Sequence, residues 1–289
     1  MAVVDGHLHL FKALSSDYPR VTYDDMAPAE REESAGRLLE AMDANGVDHA
    51  VVVPLSHEDH YLGEILSEFQ GRFAGVGMHD YEVQDPVADL ERRIEQTGIQ
   101  GMRLYGLGAD PESDPEGMRV FPLLEAMRDR EIKVWFYGPP DQVEMLDRAM
   151  ELLPGLKVVM NHLAFSPDIS VELSFDEYRR PRFSEVIPPP SLERAELLAA
   201  KHETLYVHFS GHYAFTHAPY PYLDLREVSQ RIYQAFGADR MLMASDWPWI
   251  QEEPGYGETL ALVDDHLPDL TNEERAAIRG GTALSLFNF

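Results

Sequence analysis

The chain has 289 residues, long for one compact core but suited to an α/β barrel, which runs to about 250 residues as a single domain. Its 44% hydrophobic content can fill such a core, and no apolar run approaches the roughly 18 residues that span a bilayer. The absence of cysteine excludes disulfides, thiolate zinc sites and cysteine nucleophiles, and the net charge of -27 sets nucleic acid and anionic membranes aside as partners.

No basic n-region followed by an apolar stretch opens the chain, so a cytoplasmic protein is expected. Only four lysines occur (Lys12, Lys133, Lys157 and Lys201) and the other cations are arginines. Excess carboxylate with scarce lysine suits a chain kept soluble in high salt, and equally an ordinary acidic bacterial enzyme. A fall in thermal stability at low salt separates the two.

In chain order, short apolar runs at Val3–Leu8, His49–Pro54, Phe73–Gly77, Gly101–Leu104, Ile132–Tyr137, Leu156–Asn161, Leu205–Phe209 and Met241–Ala244 read as strands. Val51-Val52-Val53 and Leu156 to Met160 look covered on both faces, as in parallel sheets. Amphipathic segments lie between them. Glu33–Asn45 ends at Gly46, and Asp85 before Pro86 makes an N-cap and an N1 proline for Asp85–Gln96. Val120–Arg130, Gln142–Leu153, Ser191–His202 and Leu225–Phe236 repeat the theme, and Thr271-Asn272-Glu273-Glu274 opens a last helix over Asn272–Phe287.

Eight strands alternating with helices predict a (β/α)8 TIM barrel, one domain over residues 1–289, with a doubly wound open sheet as the alternative. Three long connections follow the first, sixth and seventh strands: Phe11–Glu32, Leu163–Pro190 and Ser210–Leu223. In a barrel all three belong to the carboxyl-end face, where active sites are built.

His7-Leu8-His9 places two imidazoles on one strand face, because residues i and i+2 point the same way. Neutral imidazole is the commonest metal ligand, and two make half of a site. His162 opens the long loop after the sixth strand. Asp246 leaves an apolar run at the end of the eighth, where an unpartnered carboxylate is costly to bury. Asp246 can ligate a metal, deprotonate a water, or simply cap the next helix.

His-x-His on the first strand, Asn161-His162-Leu163 on the sixth and Ser245-Asp246-Trp247-Pro248 on the eighth resemble the amidohydrolase superfamily, in its amidohydrolase-2 branch of lactonases and some decarboxylases. The closing stretch Ile278 to Phe287 resembles that branch too, with Thr282 where an Asn is usual. The resemblance implies that His7 and His9 bind metal, and that Asp246 binds metal and takes the proton of the attacking water. It implies that His162 binds metal or polarises the carbonyl. The chain departs from metal-rich members on the fifth strand, where Trp135-Phe136-Tyr137 stands in place of a histidine, and on the fourth, where Arg103 lies in a stretch with no bridging lysine. One divalent ion, zinc or manganese, or a metal-free site is therefore expected, and not a binuclear centre.

Arg103 can grip a substrate carboxylate, or form an internal ion pair. Tyr137, His212 and Trp247 are the other expected substrate-binding residues. His217, Tyr213, Phe215, Tyr220, Tyr222 and Trp249 are candidate pocket walls, and His208 reads as a core histidine. Arg179, Arg180 and Arg182 read as a solvated loop cluster, and His57, His60 and His79 could each reach the mouth. The expected protein is a hydrolase of a lactone, ester or amide, acting on a small molecule; an anionic substrate and a homodimer are both compatible with the sequence. A non-oxidative decarboxylase and a non-catalytic binding barrel are the alternatives.

Overall fold

The computed structural model describes residues 2–23, 25–108, 112–167, 173–183 and 186–289. Eight parallel strands follow one another in sequence: β1 (Val4–His9), β2 (His49–Val53), β3 (Phe73–Met78), β4 (Gly101–Leu104), β5 (Lys133–Phe136), β6 (Val158–Met160), β7 (Leu205–Phe209) and β8 (Met241–Met243). Each pairs with the next, so the strand order never reverses as it would in a doubly wound sheet. The helices between are α1 (Ala35–Ala44), α2 (His60–Glu68), α3 (Pro86–Thr97), α4 (Phe121–Asp129), α5 (Pro140–Leu152), α6 (Ser191–Lys201), α7 (Arg226–Phe236) and α8 (Tyr256–His266). This is the TIM barrel that the alternation of elements predicts.

The core has two layers. Outward-facing strand residues such as Leu8, Val52 and Met102 pack with the inner faces of the helices. Inward-facing Val4, Val51, Val53, Val76, Trp135, Val159 and Leu242 fill the barrel, and Leu286 and Phe287 of the carboxyl terminus pack with them. The barrel is a packed core, so function is confined to its rim.

Two helices were not legible in the pattern. α2 buries only Leu62 and Ile65, and Asp59 before it spends its carboxylate on Arg93, at 2.6 Å from both Nε and Nη2, instead of capping the helix. α8 buries Tyr256, Thr259, Leu260, Leu262, Val263 and His266, too broad a face to read as a stripe. The expected single last helix is instead Asn272–Ala276, a π turn over Ala277–Gly281 and Thr282–Leu286. The amino-terminal chain crosses there, and a Cβ on Gly280 would meet the Ala2 carbonyl oxygen.

The seam between β1 and β8 closes just beyond the end of β8. The Asp246 N–H donates to the His7 carbonyl at 3.0 Å, and the His9 N–H donates to the Trp247 carbonyl at 2.7 Å. Buried Asp5 adds its carboxylate, which accepts from the Ser245 N–H and hydroxyl and from Tyr256. Among the described residues no helix is long and apolar enough to cross a membrane.

Candidate active site

β1 brings its two histidines together through an irregularity. Three steps on β1, from Asp5 to Leu8, face two on β2. In a regular strand Val4 and His7, three apart, would lie on opposite faces. The bulge absorbs the extra residue, so that Val4, His7 and His9 all face inward. The two imidazoles meet edge to face, centroids 4.9 Å apart.

Their partners come from tightly turned backbone. Asp246, after β8, has a φ of 62°, and His162, after β6, has 51°, followed by Leu163 at 54° and Ala164 at 58°. A run of left-handed residues without glycine is costly and persists only where its surroundings hold it. Here Gly211 helps. Its φ is 76°, and a Cβ on it would lie 2.7 Å from the Cβ of His162, so only glycine admits the histidine.

Asp246 stands at the centre. Its Oδ1 is 3.6 Å from His7 Nε2 and 3.5 Å from His9 Nε2, and its Oδ2 is 3.9 Å from His162 Nε2. The Tyr213 hydroxyl donates to Oδ2 at 2.7 Å. Burial works against the carboxylate, but the His162 and His9 imidazoles and the Tyr213 hydroxyl hold it well below the usual carboxylate range. Burial lowers the imidazoles: His7 and His208 fall well below the ordinary value, and His162 to about 4. At neutral pH the site therefore holds the Asp246 carboxylate beside neutral His7 and His162 rings.

Arg103, at the end of β4, is buried beside this group. Its Nη1 donates to His9 Nε2 at 3.4 Å, and its guanidinium lies 4.6 Å from the Tyr105 ring centroid and 5.8 Å from that of Tyr137. Among the described residues no carboxylate pairs with it. His9, His162, Asp246 and Arg103, but not His7 or His208, line a cavity of about 630 Å³ at the barrel mouth, walled by Tyr23, Met26, Tyr137, Phe183, Tyr213 and Trp249.

The family model described as Amidohydrolase matches residues 4–289. The chain belongs to this family. It is 26% identical to an L-fucono-1,5-lactonase of Burkholderia ambifaria, over 98% of this chain and 94% of that protein. Two solved structures share the fold. One is a Pseudomonas putida protein named as a candidate 2-pyrone-4,6-dicarboxylic acid hydrolase (24% identical, TM-score 0.74, covering 99% of this chain and 97% of that one). The other is a Burkholderia multivorans amidohydrolase with bound zinc (20% identical, TM-score 0.73, 99% of each chain). This chain is an enzyme of the amidohydrolase family.

Zinc in a relative prompts a test of fit. One ligand atom each from His7, His9 and Asp246 lie within 4.8 Å of one another, so by spacing these residues could hold a cation. The proton positions disagree. The Trp135 indole N–H donates to His7 Nδ1 at 2.8 Å, so in the neutral ring the lone pair is on Nδ1 and the proton on Nε2. His7 then presents a donor, not a ligand, to Asp246. The three-residue set does not fit a metal in this protonation state.

The remaining expected residues fall in two groups. Tyr137 and Trp249 line the cavity. His212 instead turns into a buried chain, facing Ser229 at 3.2 Å, which contacts His266 at 2.8 Å. Trp247 packs edge-on against Tyr256, 5.6 Å away, and does not line the cavity. Arg180 and Arg182 are buried and share Asp176, at 2.7 and 3.2 Å, so they brace the long loop and are not a solvated cluster. His79 lines a separate cleft with Arg119. Sequence reasoning treated Trp135 only as a missing histidine and Tyr213 only as a wall. Their contacts join β5 to β1, and the loop after β7 to β8, and no local pattern carries them.

Proposed function

We propose that this enzyme hydrolyses a lactone by direct attack of a water held against Asp246. The water accepts a hydrogen bond from His7 Nε2–H and gives one to Asp246 Oδ1. His9 Nδ1–H is committed to the Val53 carbonyl at 3.0 Å, and the His9 Nε2 lone pair accepts from Arg103 Nη1 at 3.4 Å. As the water oxygen bonds to the carbonyl carbon, its proton passes to Asp246. The carbonyl π electrons move to the oxygen, held by Arg103 and by His162; with the Ser210 hydroxyl, 3.0 Å away, as donor to Nδ1, the His162 Nε2–H faces the cavity. Collapse breaks the ring C–O bond, and the Asp246 proton goes to the departing alkoxide, giving a hydroxy acid.

The observation that carries this reading is Asp246 Oδ1, ionised, within 3.6 Å of one donor and one acceptor imidazole nitrogen at the floor of an open cavity. A lactone suits it because the leaving alkoxide needs only the proton that Asp246 has just received. The lactonase relative supports the same class. The test is hydrolysis of a panel of sugar 1,5-lactones, L-fucono-1,5-lactone included, and of 2-pyrone-4,6-dicarboxylate. Asp246→Asn should lower kcat on any responsive lactone by roughly 10²–10⁴-fold. An unchanged rate overturns the mechanism.

A further inference from the structure

We propose that Trp135 is a positioning residue: it sets the tautomer of His7, making the first histidine of β1 a hydrogen-bond donor instead of a metal ligand. The functional consequence rests on the hydrolase reading above; the tautomer itself does not. An indole nitrogen can only donate. Its contact with His7 Nδ1 at 2.8 Å therefore assigns the lone pair to Nδ1 and the proton to Nε2. Trp135 cannot swing away, being fully buried between His208, 4.5 Å from its ring, and Phe287 at 5.4 Å.

His9 shows the opposite arrangement. The Val53 carbonyl can only accept, so in the neutral ring it fixes the proton on Nδ1 and makes Nε2 an acceptor, which Arg103 Nη1 approaches at 3.4 Å. Two histidines of one strand are thus held in opposite tautomers, by β5 and by β2. The arrangement suits a water, which takes one hydrogen bond from His7 and gives one to Asp246. It does not suit a cation, which needs lone pairs from both. To ligate, His7 would have to move its proton to Nδ1, setting two N–H groups head to head across 2.8 Å.

Long-range 1H–15N correlation of histidine-labelled wild-type protein, with His7 assigned by difference against Trp135→Phe, reads the tautomer directly. Protonated Nε2 and bare Nδ1 are expected; protonated Nδ1 overturns the proposal. Zinc titration of the same proteins gives a second readout. Without the indole N–H the penalty on the ligating form disappears, so Trp135→Phe should bind zinc about tenfold or more tighter than wild type, the scale of one buried hydrogen bond. Equal affinity overturns the proposal. Should Trp135→Phe fold poorly, benzothienylalanine at this position keeps the shape and removes only the donor, and the wild-type spectrum can be assigned with His7→Gln. Failure of lactone hydrolysis would sink the mechanism while leaving the tautomer result standing, and the reverse outcome would sink only this inference.

Discussion

Asp246 gives its backbone N–H to the carbonyl of His7 and its side-chain Oδ1 to the space before His7 Nε2, so one residue both closes the barrel and places the carboxylate proposed as its base. The coupling fixes the relative position of groups 239 residues apart in the chain through the sheet's own hydrogen bonding. The left-handed backbone at Asp246 is what lets a single residue make both contacts.

Tyr213 tunes that base. Its hydroxyl donates to Oδ2 of a carboxylate from which water is largely excluded. Hydrogen bonds to charged groups contribute about 1.5–3 kcal/mol, or roughly one to two pKa units. Tyr213→Phe should therefore shift the acid limb of the kcat/KM profile to higher pH by about one unit or more. An unmoved limb with reduced kcat would mean that Tyr213 serves only as a wall of the cavity.

Arg103 separates a substrate anchor from a structural cation. It is buried, has no carboxylate partner among the described residues, and faces the cavity. A buried charge with no carboxylate partner among the described residues opposes folding, so removing it should not destabilise the chain. Arg103→Met should keep or raise Tm while lowering kcat by about 10²–10³-fold, the scale seen for loss of one oxyanion donor. A marked fall in Tm would instead show that Arg103 supports the fold.

Gly211 and Gly36 make a contrasting pair. Gly211→Ala imposes a left-handed alanine, at roughly 1–2 kcal/mol, and drives its Cβ into His162, so stability and activity should fall together. Gly36 lies exposed in α1 with open space about it. Gly36→Ala should stabilise by about 0.5–1 kcal/mol and leave activity unchanged. Denaturant titration and lactone assays on both variants check this.

The sequence made the barrel legible because β and α periodicities alternate cleanly and both faces of the strands are apolar. Each expected strand is present within two residues at either end. His7, His9, His162 and Asp246 were legible as a group because strand ends face one rim. The hydrogen atoms that decide their chemistry were not. They depend on Trp135 meeting His7 across the barrel and on the Val53 carbonyl meeting His9, contacts between elements that carry no local pattern. The fate of His212 was hidden for a related reason. A one-turn helix, His212–Phe215, follows the left-handed Gly211 and turns the ring away from the mouth.

Asp5 gives a pH signature distinct from that of the active site. It is fully buried, and burial raises its pKa from 3.8 to about 6, only partly offset by the hydrogen bonds from Ser245, His7 and Tyr256. Below 3.8 the group is protonated in both folded and unfolded chains. Between 3.8 and about 6 the unfolded chain releases the proton while the folded one retains it, so stability falls as pH rises. Above 6 the loss is complete, about 3 kcal/mol for a shift of this size. Asp5→Asn cannot ionise, so its stability relative to wild type should improve steadily from pH 4 to pH 7, whatever constant offset the amide introduces. Taking the difference between variant and wild type cancels the repulsion among the many other carboxylates of this acidic chain. A difference that stays flat across that range, measured by denaturant titration at fixed ionic strength, would show that Asp5 is ionised in the folded state at its ordinary pKa.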